Sequence, residues 1–100
     1  MDRLIEKVEL WAIERNIENG DPKIQLCKTL EELGEFAKAV NKNDKIGQID
    51  GLGDTLVTLI IVAMQLKLDV KECLNYAYNE IKDRKGKTIG GVFIKEEDLK

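Results

Sequence analysis

One hundred residues with a net charge of −3 and a pI near 5.0 suffice for one domain and set the chain apart from general nucleic-acid binders, whose surfaces are basic. The sequence holds neither histidine nor serine, so a Ser-His-Asp triad, a Cys-His pair and any His-ligated zinc site are excluded. Catalysis must then rest on carboxylates, lysines, a thiol, tyrosines or a hard metal ion held by oxygen.

The helical period dominates, and strand-like alternation is nearly absent before the tail. A first helix is expected from Asp2 to Ile17, burying Leu4, Val8, Trp11 and Ala12 and stopping at Asn19-Gly20. Met1-Asp2-Arg3 leads straight into this pattern, which points to no leader segment and a cytoplasmic protein. Asp21-Pro22 is a restart signal, an N-cap followed by proline in the first turn. The second helix carries Leu26, Leu30, Leu33, Ala37 and Val40 as its expected buried stripe and ends in Asn41-Lys42-Asn43-Asp44.

The third helix has two expected starts, because Gly47, Gly51 and Gly53 each weaken a helix interior by roughly 1 kcal/mol. Either it begins near Asp44 and the glycines admit a close neighbour, or it begins only near Asp50. The run Leu56–Met64 is apolar on all sides, too short to span a membrane and therefore expected to be surrounded. Asp69 and Glu72 form a capping box for a fourth helix burying Val70, Cys73, Leu74, Ala77 and Ile81 and fraying near Gly86. Cys27 and Cys73 read as reduced core thiols. The expected architecture is all-α, a four-helix bundle over residues 1–87, with an extended tail or short hairpin about Gly90-Gly91 over residues 88–100. In so short a bundle a helix apolar on every face is either central or meets a second subunit, so a homo-oligomer, dimer or tetramer, is expected.

Glu31, Glu32 and Glu35 occupy an arc about 100° wide on the second helix. Periodicity alone places that arc opposite the leucine stripe, as a solvated face would be. Asp50 and Asp54 are four residues apart, in line with Val57 and Ile61 on an apolar face. An aspartate there either finds a cation, shifts its pKa, or, for Asp54, caps a helix starting at Thr55. Five carboxylates on two antiparallel helices can hold a hard divalent ion, and Mg²⁺ suits oxygen ligands shared with substrate phosphates.

Glu31-Glu32-x-x-Glu35 followed by Gly53-Asp54 resembles the two metal motifs of the all-α nucleotide pyrophosphohydrolases, the group that includes MazG, dimeric dUTPases and phosphoribosyl-ATP pyrophosphohydrolase. The likeness runs from Trp11 and Arg15-Asn16 through Gln25, both motifs, Leu66-Lys-Leu-Asp69 and Asn79-Glu-Ile-Lys-Asp-Arg-Lys-Gly86 to Gly91-Val-Phe, as in short phage- and Firmicute-type MazG-like proteins. The resemblance implies a bundle paired with a second copy that cleaves a nucleoside triphosphate to monophosphate and pyrophosphate. Mg²⁺, with Mn²⁺ as a substitute, would bind through Glu31, Glu32, Glu35 and Asp54, and Glu32 or Glu35 would activate the attacking water. The family's second motif is usually Glu-x-x-Asp, yet Gly51 stands three residues before Asp54, which leaves Asp50 as the nearest substitute.

Lys82, Arg84, Lys85 and Lys87 complement a helix C-terminus or capture phosphate. The resemblance favours nucleotide contacts from Asn79, Lys82, Arg84 and Lys85. Trp11 is either core or a base-stacking platform, and Gln25 either reads a base edge or lies on the surface. Two other readings stand beside the pyrophosphohydrolase. One is a non-enzymatic helical interaction module, the other a same-fold hydrolase of a different phosphorylated substrate such as phosphoribosyl-ATP. Neither a membrane nor a nucleic-acid polymer is expected as partner.

Overall fold

The computed structural model describes residues 2–99, which form four α-helices and a two-stranded hairpin. The chain is all-α in class and divides into two compact units, residues 1–70 and 71–100.

In the first unit, helix α1 spans Asp2–Glu14 and is followed by a 3₁₀ turn, Ile17–Asn19. The helix stops earlier than periodicity suggests because Asn16 takes the left-handed conformation (φ 59°), which asparagine tolerates better than most residues. Helix α2, Pro22–Asn41, starts as its sequence dictates, with the Asp21 side chain accepting a hydrogen bond from Lys23 N–H at 2.9 Å and proline in the first turn. Helix α3, Lys45–Gln65, takes the earlier of its two expected starts. Asp44 is its N-cap and accepts from Gly47 N–H at 3.0 Å, so Asp54 lies mid-helix and caps nothing.

The α2–α3 pair is the main contact of this unit, joined by only three residues, 42–44, and hence antiparallel. Its seam is made of small groups. A Cβ built on Gly47 would lie 3.0 Å from Ala39 Cβ, and one on Gly51 would lie 2.8 Å from Phe36 Cα, so the glycines bring the two backbones together. The seam continues through Thr29 and Thr55. Both are buried, and each hydroxyl donates to the carbonyl four residues earlier (Gln25 O at 3.2 Å, Gly51 O at 2.8 Å), which is how a polar side chain survives on an inward face.

This register overturns the expected core of α2. The face against α3 holds Gln25, Thr29, Phe36 and Ala39, whereas Leu26, Leu30, Leu33, Ala37 and Val40 are exposed within the chain, Leu30 by 67%. The two stripes are offset by one residue, a rotation of about 100°. The small-residue seam of α3 selects the first of them, because only there can the backbones approach. In α1 the inward residues are Ile5 and Ala12, while Leu4 and Trp11, expected inside, are exposed and Val8 is half-buried. In α3 the segment Ile60–Ala63 is buried, but Leu56 and Leu59 are not, so the run is only partly surrounded. Helix α3 is also long and apolar enough by composition to cross a membrane, as core helices can be. Gln65 anchors the 3₁₀ turn by donating to Ile17 O at 3.0 Å.

Helix α4 spans Val70–Ile81, directly after Asp69, and from Lys71 onward it belongs to the second unit. Strand β1, Gly86–Ile89, pairs antiparallel with β2, Val92–Lys95, with Thr88 opposite Phe93. Gly90 and Gly91 both have positive φ (59° and 81°), as a two-residue turn matched to strand twist requires. Cys73, Leu74, Ala77 and Ile81 are exposed within the chain and Val70 is half-buried, while Cys27 in α2 is exposed too, so neither thiol is a core residue. The period of a helix defines an apolar face but not the surface that covers it.

Candidate active site

Because the glycine seam holds α2 and α3 close, their flanking polar residues share one cleft of about 250 Å³. Glu32 and Glu35 enter it from α2, and Asp50 and Asp54 from α3. The antiparallel register that sets Phe36 on Gly51 and Ala39 on Gly47 sets Glu32 across from Asp54. Ala39, Gly47 and Gly51 form the floor, and Lys38, Lys42 and Asp44 line the rest. Where α2 gives way to α3, Asp44 N–H donates to Ala39 O at 2.9 Å and Gln48 Nε2 donates to the same carbonyl at 3.4 Å.

Two of the three glutamates of the arc, Glu31 and Glu35, are exposed, while Glu32 turns toward the cleft. Glu32 is half-buried, and burial pushes its carboxyl above the ordinary glutamate range. The charges of Asp54, Glu35, Asp50 and Glu31 push the same way, Asp54 most strongly of the four. A site whose carboxylates repel one another is one that a cation stabilises. Its donors are all oxygen, as hard divalent ions require. Among the described residues no three of them converge tightly enough to enclose a bare ion. Such a set fits Mg²⁺, which usually keeps several waters and takes one or two carboxylates plus substrate phosphates.

Of the residues singled out by sequence, Glu32, Glu35, Asp50 and Asp54 come together, while Glu31 acts on Glu32 by charge but does not line the cleft. Gln25 is buried in line with Thr29 and Glu32 rather than on the surface. Trp11 is 45% exposed, and the Arg15 guanidinium lies 4.5 Å above its ring, with Arg15 Nη1 donating to Trp11 O. In the second unit Asn79 is exposed on α4 and Lys82 just beyond it, while Arg84 and Lys85 line a recess with Lys95 and the acidic Asp83, Glu96 and Glu97. Two lysines not singled out by sequence, Lys38 and Lys42, also line the cleft; they follow Glu35 at three and seven residues, Lys38 within α2 and Lys42 as its C-cap.

Residues 21–89 match the model of the MazG nucleotide pyrophosphohydrolase domain. The chain is also similar to an uncharacterized 18.2 kDa protein of the rep-hol intergenic region of Haemophilus phage HP1, at 37% identity over 70 residues. That stretch is 69% of this chain and 43% of the phage protein, so the chain spans less than half of that relative. No solved structure matches it.

Proposed function

Since the chain belongs to the MazG nucleotide pyrophosphohydrolase family, we propose that it hydrolyses a nucleoside or deoxynucleoside triphosphate to monophosphate and pyrophosphate, with Mg²⁺ at the α2–α3 cleft. The observation that supports this most is the convergence of Glu32, Glu35, Asp50 and Asp54 from two helices onto one cleft floored by glycine and alanine. In this reading these four groups hold the ion, directly or through its waters, and Glu31 adds negative charge from the rim. Mn²⁺ takes the same oxygen donors and substitutes. When bound, the ion neutralises charge developing on the phosphate oxygens.

The protein's own part is to position water and accept its proton. Glu32 or Glu35 orients a water for attack on the α-phosphorus and takes the proton released. The bond from the α-phosphorus to its bridging oxygen breaks, and its electron pair leaves with pyrophosphate. Trp11 and Gln25 are proposed contacts for the base. Asn79, Lys82, Arg84 and Lys85 form a second candidate phosphate-binding group in their own unit. The working form is a cytosolic homo-oligomer, for which the uncovered stripe Leu26, Leu30 and Leu33 of α2 is the proposed interface.

The deciding experiment is pyrophosphate release from a panel of ribo- and deoxyribonucleoside triphosphates and phosphoribosyl-ATP, with Mg²⁺ and with EDTA. Hydrolysis that requires the ion and is lost in Glu35→Gln supports the reading. Turnover that survives both EDTA and that substitution removes it.

A further inference from the structure

The cleft is electrically polarised along its length. At about 1.5 Å rise per residue, Lys38 and Lys42 lie about 5 and 10 Å along the α2 axis from Glu35. On α3 the carboxylates Asp50 and Asp54 likewise lie toward the Glu32 end. At the Lys42 end the partial positive charge of the α3 N-terminus is offset by the partial negative charge of the adjoining α2 C-terminus, which leaves the two lysines as the cations there. One carboxylate remains at that end, Asp44, and it is engaged as the cap of α3 by Gly47 N–H. Lys38 stands in the last turn of α2, where complementing the helix C-terminus would explain a lysine anywhere around the circumference. That role does not account for the placement of both side chains: each lines the cleft, and among the described residues neither forms an ion pair with the carboxylates that share it.

We propose that Lys38 and Lys42 take the terminal phosphates of the nucleotide, the part that leaves as pyrophosphate, and thereby fix which end of the triphosphate lies at the carboxylates. This deepens the function proposed above and rests on it. The α-phosphorus is then held beside Glu32, Glu35, Asp50 and Asp54, where water attacks. The bridging oxygen that receives the electron pair on cleavage points toward the two ammonium groups, which offset the charge it gains. Neither lysine loses a proton in the step, because the proton of the water goes to a glutamate. A reversed triphosphate would set its most highly charged phosphate among four carboxylates and leave the cationic end unfilled.

The test is the double variant Lys38→Met/Lys42→Met. Its inhibition constant for pyrophosphate and its KM for the triphosphate are expected to rise by about tenfold or more, in line with the loss of charge-assisted hydrogen bonds. Inhibition by the nucleoside monophosphate and the Mg²⁺ concentration for half activity should stay within about twofold. The arginine counterpart, Lys38→Arg/Lys42→Arg, should retain pyrophosphate inhibition. Calorimetry with pyrophosphate in Mg²⁺ buffer reads the same site without turnover. Binding by the wild type that is lost in the methionine variant sustains the assignment even where no panel nucleotide is cleaved, an outcome that would count against the function alone. Unchanged pyrophosphate inhibition beside tighter Mg²⁺ activation would mean that the lysines only balance the cleft's charge, and would overturn it.

Discussion

Gly51 of α3 packs directly on the backbone of Phe36 in α2, so closely that a methyl group on Gly51 would lie 2.8 Å from Phe36 Cα and 2.9 Å from its Cβ. Neither atom belongs to a side-chain end that can swing away. This contact accounts for the departure at the second carboxylate motif, because a glutamate at this position would have to start inside the α2 backbone. The position is buried, and the carboxylate that lines the cleft next to Asp54 on this helix is Asp50, one residue back.

Gly51→Ala is therefore expected to destabilise the fold. Overpacking costs about 1–3 kcal/mol, and a clash with backbone atoms that cannot swing aside belongs at the upper end of that range, above the roughly 1 kcal/mol that alanine gains over glycine in a helix. Gly34→Ala is the control, since a Cβ there meets nothing within 4 Å, and it should hold or raise the melting temperature. Thermal melts of the two variants check the prediction. Equal gains in both would refute the close approach.

A second expectation concerns the leucine stripe. Leu26, Leu30 and Leu33 are exposed within the chain, side by side at helical spacing, and a contiguous apolar patch marks an interaction surface. Light scattering should find a multiple of the 11.3 kDa chain mass for the wild type. Leu30→Asp should shift it toward the monomer, since burying an unpaired charge in an interface is strongly unfavourable. A wild type that stays monomeric at micromolar concentration would show that the stripe is not a contact between copies.

How much of this was legible in the sequence depends on which force decided each feature. Helix α2 was readable at its start because Asp21-Pro22 acts locally, and the glycine turn of the hairpin for the same reason. The inward face of α2 was not, because leucines outweigh Gln25, Thr29 and Phe36 in any hydrophobic tally, whereas the packing was decided by the absence of side chains on Gly47 and Gly51. The carboxylates were found by spacing and by resemblance. That they face one another from two antiparallel helices was expected from the same spacing, whereas the rotation of α2 by one residue, which turns Glu32 from solvent toward Asp54, was not.

Charge repulsion at Glu32 yields a prediction about the metal-free protein. Its folded-state pKa is raised above the unfolded value, first by burial and then by Asp54, Glu35, Asp50 and Glu31. The stability tied to its protonated form is thus fully present below the unfolded pKa and lost as pH rises through the folded pKa. In EDTA, Glu32→Gln should melt higher than the wild type at neutral pH, and the gap should close on acidification through that range. Adding Mg²⁺ should raise the wild type more than the variant, because ligand binding to the native state stabilises it in proportion to affinity. A variant less stable than the wild type in EDTA would show that Glu32 serves the fold rather than the ion.

Asp50 carries the most exposed prediction. On α3, positions 50 and 51 lie at about −40° and +60° from the line through Asp54, and Gly51 is committed to Phe36. Only Asp50 then offers a second oxygen donor beside Asp54 from the same helix, and it lines the cleft. Aspartate reaches less far than the glutamate usual in the family, but the glycine seam draws the helices together, and an ion that retains waters can accept the carboxylate through one of them. Asp50→Asn keeps the shape and removes the charge, so the Mg²⁺ concentration for half activity should rise by about tenfold or more, the range seen when a partner of a metal site is lost. The melting temperature in EDTA should not fall, since the substitution also relieves repulsion on Glu32. An Asp50→Asn protein with a wild-type Mg²⁺ titration and wild-type turnover would leave the ion to Glu32, Glu35 and Asp54 alone, with the α3 side of the site reduced to one carboxylate.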